Sequence, residues 1–189
     1  MRDDIYDVSL LLELALDDAQ HPSIRRGAAE VAAIHGTESA VAQLMSVLRD
    51  RRHPPARRML ACDALVALQA PHLTLRAIED AAFENDSSAV RINAIALMAK
   101  LKNLRSVSAL VKLLRDRDAS VCEAADAALV QIIEANGGRE QAIEKMLTRA
   151  AELLTRGKPQ GAYAIVIAIL VLDPLNARAR LLKARADVH

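Results

Sequence analysis

Histidine, cysteine and arginine are the side chains here whose chemistry can be weighed from type and spacing. The histidines are His21, His35, His53, His72 and His189. None stands three or four residues from another, the spacing that puts two metal ligands on one helix face, and four lie at or near turns. The chain also lacks a glycine-rich phosphate cradle, a nucleophile elbow and a defensible Cys-His pair. No catalytic residue, metal or cofactor is therefore expected, and the chain reads as a non-enzyme. The densest charged feature is Arg49, Arg51, Arg52, Arg57 and Arg58, with His53 among them. Such charge could neutralise phosphates, but single strands also need aromatic platforms, and none is near. Asp50 and the pair Pro54-Pro55 interrupt the run. A solvated turn, or one facing an acidic protein, is the preferred reading of this basic patch over nucleic acid.

Composition points to helices rather than to a site. Hydrophobic residues make up 52% of 189, with no Trp, one Phe and two Tyr. Packing must then rest on Ala, Leu, Val and Ile. Net charge is +1, but residues 1–20 hold six acids against one base, whereas residues 139–189 hold nine bases against five acids. Cys62 and Cys122 are expected as reduced thiols on first helices of separate units, too far apart for a disulfide. The acidic start Met1-Arg2-Asp3-Asp4 is unlike a signal peptide. The longest apolar run, Ala162–Leu172, is shorter than the roughly 20 residues a membrane span needs. A cytoplasmic protein without a membrane partner is expected.

The organising feature is repetition. Val90-Arg91-Ile92-Asn93-Ala94 followed by Val107–Asp116 repeats Ile24-Arg25-Arg26-Gly27-Ala28 followed by Val41–Asp50, with 66 residues between copies. Weaker copies start at Ala56 and Val121, so the starts are 32, 34 and 31 residues apart. Periods of this size belong to stacked helix pairs that bury apolar faces on their neighbours. Helical spacing of apolar residues predicts helices near 5–18, 23–35, 38–50, 55–69, 73–84, 88–101, 105–116 and 119–136. His21-Pro22 and His53-Pro54 place proline at helix openings, where its missing N–H is harmless. Thr37, Ser87 or Ser88, and Asp118 are the expected N-caps. Asn136-Gly137-Gly138 is the clearest breaker, and a domain boundary is expected there, with 1–136 and 139–189 on either side.

The copies resemble HEAT repeats of the short bacterial type also found in phycobilisome-lyase-like proteins. Ile24-Arg25 with Ala28-Ala29, Thr37–Leu44, and Val90-Arg91 through Asp116 carry the likeness. The second copy departs from it at Gln69-Ala70-Pro71-His72-Leu73, which lacks glycine, and the fourth has Cys122 in the arginine slot. Beyond the glycines, Leu153-Leu154-Thr155-Arg156-Gly157, Ala162 and Leu172–Ala177 resemble a tetratricopeptide (TPR) repeat, with Leu153 in the usual aromatic position and Ile169 in a usual small one. These resemblances imply an all-α fold: a right-handed α-α superhelix, the HEAT-like solenoid, capped by a TPR-like helical hairpin. They also bring two enzymatic comparisons. HEAT-like di-iron hydroxylases use His-Glu pairs, which are absent here, and HEAT-like DNA glycosylases use an aromatic cleft this sequence cannot furnish.

In HEAT arrays the second helices usually line the concave face that grips partners. By their heptad-like spacing Val41, Leu44, Met45 and Leu48, and Val107, Leu110, Val111 and Leu114, should face the core. The outward row then holds Gln43 and Ser46; Arg76, Glu79 and Asp80; Ala109 and Lys112. This mixed polar strip suits a protein or peptide partner, while an ordinary solvated face is the competing reading. The helix Gly161–Leu172 is apolar all round, with Ile165, Ala168 and Val171 where a TPR helix carries charge. Either its neighbours cover it completely, or Ile165, Ala168, Ile169 and Val171 contact a partner or a second copy. The expected function is thus a non-catalytic scaffold or adaptor. An accessory factor resembling the tetrapyrrole lyases is the alternative, and nucleic-acid binding ranks behind both.

Overall fold

The structure is a computed structural model that describes residues 7–68, 71–84 and 86–187, without the side chains of 71–73 and 84. The described residues are helical apart from their turns and contain no strand. No helix among them is long and apolar enough to cross a membrane. Among the described residues ten α-helices follow one another: α1 (Val8–Ala15), α2 (Pro22–Arg49), α3 (Pro55–Ala67), α4 (Pro71–Glu84), α5 (Ser88–Leu101), α6 (Val107–Leu113), α7 (Ala119–Ala135), α8 (Gly138–Thr155), α9 (Pro159–Leu172) and α10 (Ala177–Ala186). The chain divides into two compact units, the first ending at Met98 and the second beginning at Ala99. The glycine turn expected as a domain boundary lies inside the second unit, between α7 and α8.

Local chemistry explains most helix starts. Asp7 caps α1 by accepting from Ser9 N at 2.9 Å, and Asp118 caps α7 by accepting from Ser120 N at 3.0 Å. His21 plays this part for α2, its Nδ1 accepting from Ser23 N at 3.3 Å. Pro22, Pro55 and Pro159 open their helices without losing a hydrogen bond. The two helices expected at 23–35 and 38–50 form the single element α2, broken at Gly36 (φ 170°). That angle is extended backbone, open to any residue. Thr37 is no N-cap: its hydroxyl instead donates to Ala33 O at 2.8 Å, back-bonding the turn before the break. Gly137 (φ 95°) and Gly138 (φ 84°) are different, since both sit where side chains are strained. The first helix is shorter than expected, and Ile5 falls outside the described residues, as do Gln69 and Ala70 of the glycine-free connector.

In the first unit α1 packs on α2 and α3, and α2 packs on α3 and α4, which also pack together. The seams are lined by Ala28, Ala29, Ala32, Ala40, Ala61 and Ala82, with Leu44, Leu48, Leu65, Ile78 and Ile95 fully buried beside them. In the second unit α6 packs on α7, α7 on α8, α8 on α9, and α9 back on α6, while α10 lies against α8 and α9. Those four helices thus close on one another. Two expectations for this unit are corrected. The segment 105–116 starts as a 3-10 turn at Leu104–Ser106 and its α-helix stops at Leu113. Because α6 meets both α7 and α9, its buried arc is wide: Ala109, expected outside, is buried, and so is Leu113. Val111 and Leu114, expected in the core, are only half-buried, like Val41 and Met45 in α2.

Leu44 is fully buried on the second segment of α2. Leu44→Ala should lower unfolding free energy by about 2–5 kcal/mol, the usual cost of lost burial plus a cavity. Val47→Ala, at a half-buried site on the same helix, should cost clearly less. Urea melts followed by circular dichroism check the difference.

Candidate functional site

The candidate surface in the first unit is built by α2 and α4. Gln43, Ser46 and Arg49 follow one another at three-residue spacing on α2, and Glu79 and Asp80 stand three and four residues after Arg76 on α4, so each set lies along one side of its helix. The helices pack together, and Arg49 Nη2 meets Asp80 Oδ2 across them at 3.2 Å. That ion pair joins the two rows into one polar strip. Ser46 and Arg76 are exposed, and Gln43, Glu79 and Asp80 are half-buried. Gln43 donates to the Ser39 hydroxyl at 3.2 Å, which holds its amide along the helix. Behind the strip, Leu44, Leu48 and Ile78 are fully buried. Lys112 belongs to the second unit, where it is exposed on α6.

A cavity of about 220 Å³ opens at the end of this strip, floored by Met45, Leu48 and Ala81 and rimmed by Arg49, Arg51, Arg58, Asp80 and Asp86. Its wall contains the arginine turn, and here the structure supplies what the sequence could not. Arg58 has a side chain only 4% exposed and meets Asp86 at 2.6 Å. Arg57 reaches Glu13 on α1 at 2.7 Å. Arg52 folds back onto Asp50 at 2.7 Å, and Arg49 is held by Asp80. Four of the five arginines are therefore matched by acids of the same unit. Arg51 is exposed and favours the charged form of Asp86. The basic patch is a lattice of internal pairs.

These pairs act on the acids. A hydrogen bond from Arg58 holds the Asp86 carboxyl below its ordinary value of 3.8, and Arg52 holds Asp50 lower still. Arg25 and Arg57 occupy the same slot in successive sequence copies. Both favour ionised Asp17 at the end of α1, although hydrogen bonds from Gln20 and Ala19 lower that carboxyl more. Arg25 also donates to Gln20 O at 3.1 Å. Arg25 thus ties the beginning of its copy to the turn before it, whereas Arg57 reaches back to α1.

In the second unit, α9 is enclosed by α6, α8 and α10. Ala168 (1% exposed) and Ile169 (0%) lie in the interior and are closed to any partner. Val171 is 46% exposed and Ile165 is half-buried, so only these two of the four candidate contacts reach the surface. Tyr163 is covered in part by Lys183, whose Nζ lies 5.4 Å from the ring centre. Ile165 borders a cavity of about 280 Å³ with Asn103, Leu104, Arg105, Lys145, Met146 and Arg149. Nothing in the sequence pattern marked this cavity, because its walls come from three separated segments.

The thiols differ from each other. Cys62 is fully buried on α3, and burial pushes its pKa up to about 12, which leaves it a poor nucleophile. Cys122 is half-buried and donates to Asp116 O at 3.3 Å. Both are free. His21 serves as a helix cap, His35 is exposed and His53 sits in the arginine turn. The side chain of His72 and the whole of His189 lie outside the described residues. No protein-family model matches this chain, and no curated protein matches it significantly.

Because the Asp86 carboxyl is held down in the folded state, its contribution to stability is present above about 3.8 and is lost as pH falls through the lowered folded value. Asp86→Asn should therefore lower the melting temperature at neutral pH and converge on the parent protein in strong acid. Parallel melting curves across that range would show that the pair with buried Arg58 contributes nothing.

Proposed function

We propose that this chain is a non-catalytic adaptor, a HEAT-like solenoid closed by a TPR-like unit, that holds a protein or peptide in the cytoplasm. The repeated sequence copies support the HEAT-like reading, and the helical hairpin of α8 and α9 around Gly157 supports the TPR-like one. The observation that carries the function is the polar strip on α2 and α4. It presents amide, hydroxyl, cationic and anionic groups side by side above a fully buried apolar layer. Such a surface can match a partner with several directed hydrogen bonds and charge pairs while remaining soluble alone. Its affinity would be the sum of modest contacts on a rigid support, with little ordering cost on this side.

The arginine turn favours a protein over nucleic acid. Phosphate binding needs uncompensated cations and releases counterions, whereas Arg49, Arg52, Arg57 and Arg58 are already matched by carboxylates. In this reading the pairs brace the strip and its cavity.

Affinity capture from the native extract, run at low and high salt, tests the proposal with the full chain and its Arg76→Glu form. Arg76 is exposed, so reversal should leave helicity and melting unchanged. A discrete protein retained at high salt by the parent, and reduced about tenfold or more by Arg76→Glu, is the expected result. Retention of nucleic acid alone, lost with salt, would reject it.

A further inference from the structure

Two helices of the second unit, α7 and α10, each hold one large apolar side chain in the middle of a charged outer face. Val130 on α7 is 49% exposed and Leu181 on α10 is 64% exposed. On α7 the exposed row runs Glu123, Asp126, Val130 and Glu134, with Ala127 beside it, the spacing that keeps residues on one side of a helix. α7 carries these three acids and no base. None of their carboxylates has an ion-pair or hydrogen-bond partner among the described residues. The arginine turn of the first unit is matched internally, and this row is not. The opposite sign stands on α10, where Arg178, Leu181 and Arg185 are exposed along one side. Arg178 is paired with Glu144 at 2.7 Å and Lys183 with Asp187 at 2.9 Å. Arg180 donates only to the Pro174 carbonyl at 2.8 Å, and Arg185 has no carboxylate partner among the described residues. Two acids thus meet the four bases of α10, which leaves this helix with a net positive charge.

We propose that α7 of one copy of this chain docks on α10 of a second copy. Val130 packs against Leu181, and the small side chains of Ala127 and Ala184 let the two backbones approach. Unlike charges then surround the apolar contact. Asp126 and Glu134 stand four residues before and after Val130, and Arg185 stands four residues after Leu181. The rise is the same on both helices, about 6 Å. Arg185 therefore meets an acid in either direction of crossing: Asp126 when the helices run antiparallel, Glu134 when they run parallel. Each face finds its complement on this same chain, which selects a second copy over an unrelated protein. Two α7 faces would set acid on acid, and two α10 faces cation on cation, so the contact joins unlike faces. Such a contact leaves one face of each kind unused in a pair, and association continues into a ring or a chain. Both faces belong to the second unit, so this inference is independent of the polar strip.

Sedimentation velocity of the full chain, over a wide concentration range and at low and high salt, tests the contact. Reversible growth beyond the single chain is expected as concentration rises, weakened by salt because the charges are exposed. Arg185→Glu should weaken association about tenfold or more, since it sets like charges face to face. Helicity and melting should not change, because Arg185 is exposed. Adding Asp126→Arg or Glu134→Arg to that variant should restore association, and which of the two succeeds gives the direction of crossing. Leu181→Ser, also at an exposed site, should weaken association at both salt concentrations. Three results would overturn the proposal: a single chain at every concentration, association untouched by Arg185→Glu, or failure of both restoring changes. Capture from the native extract separates the other occupant. If the pure chain stays single while the extract yields a protein that Asp126→Arg releases, α7 serves that protein and the second-copy assignment fails.

Discussion

The constraint behind this structure is the near absence of aromatic side chains. With no Trp, one Phe and two Tyr in 189 residues, and with Phe83 and Tyr163 both exposed, large rings do little to fill the gaps between the described helices. They must instead approach closely across small residues. Ala28, Ala29, Ala32, Ala40, Ala61 and Ala82 line the seams of the first unit, and Ala125, Ala128, Ala142, Ala150, Ala162 and Ala179 do so in the second. Each contributes little buried area, so stability depends on many helices touching several neighbours at once. Leu, Ile and Met fill the remaining depth.

Close packing also governs the charges. Short turns between tightly packed helices bring their ends together, and those ends carry the arginines and aspartates. Arg58 is buried because Asp86 lies beside it to accept its charge; alone it would bear a heavy desolvation cost. Arg49 with Asp80, and Arg57 with Glu13, link helices that are far apart in sequence. A cluster that looks like an excess of positive charge along the chain is balanced in space.

Helix positions were readable because their signals are local. Pro22, Pro55, Asp118 and the glycine pair at 137–138 act through their own backbone and capping groups, and α5 spans the predicted 88–101. Thr37 was misread because a threonine hydroxyl can bond backward as well as forward. The faces of α6 and α9 depend on which helices surround them. Ala109, assigned outward by helical spacing, and Ala168, which stands where a TPR helix carries charge, are buried because α6 and α9 close against each other as well as their sequence neighbours. The polar strip was legible as two rows of residues. Its stitching by Arg49 and Asp80, and most of the neutralised arginine turn, were not, because apart from Arg52 with Asp50 the partners stand 28 to 44 residues apart.

The direct measurement of alanine-limited packing is a comparison of unfolding free energies for Ala29→Leu and Ala42→Leu. Ala29 is fully buried in a seam and Ala42 is exposed on the same element. Close packing predicts that Ala29→Leu is destabilising by about 1–3 kcal/mol, through overpacking, while Ala42→Leu stays within about 0.5 kcal/mol of the parent. Equal, near-zero effects at both sites would contradict it, because they would mean that the seams have room to spare.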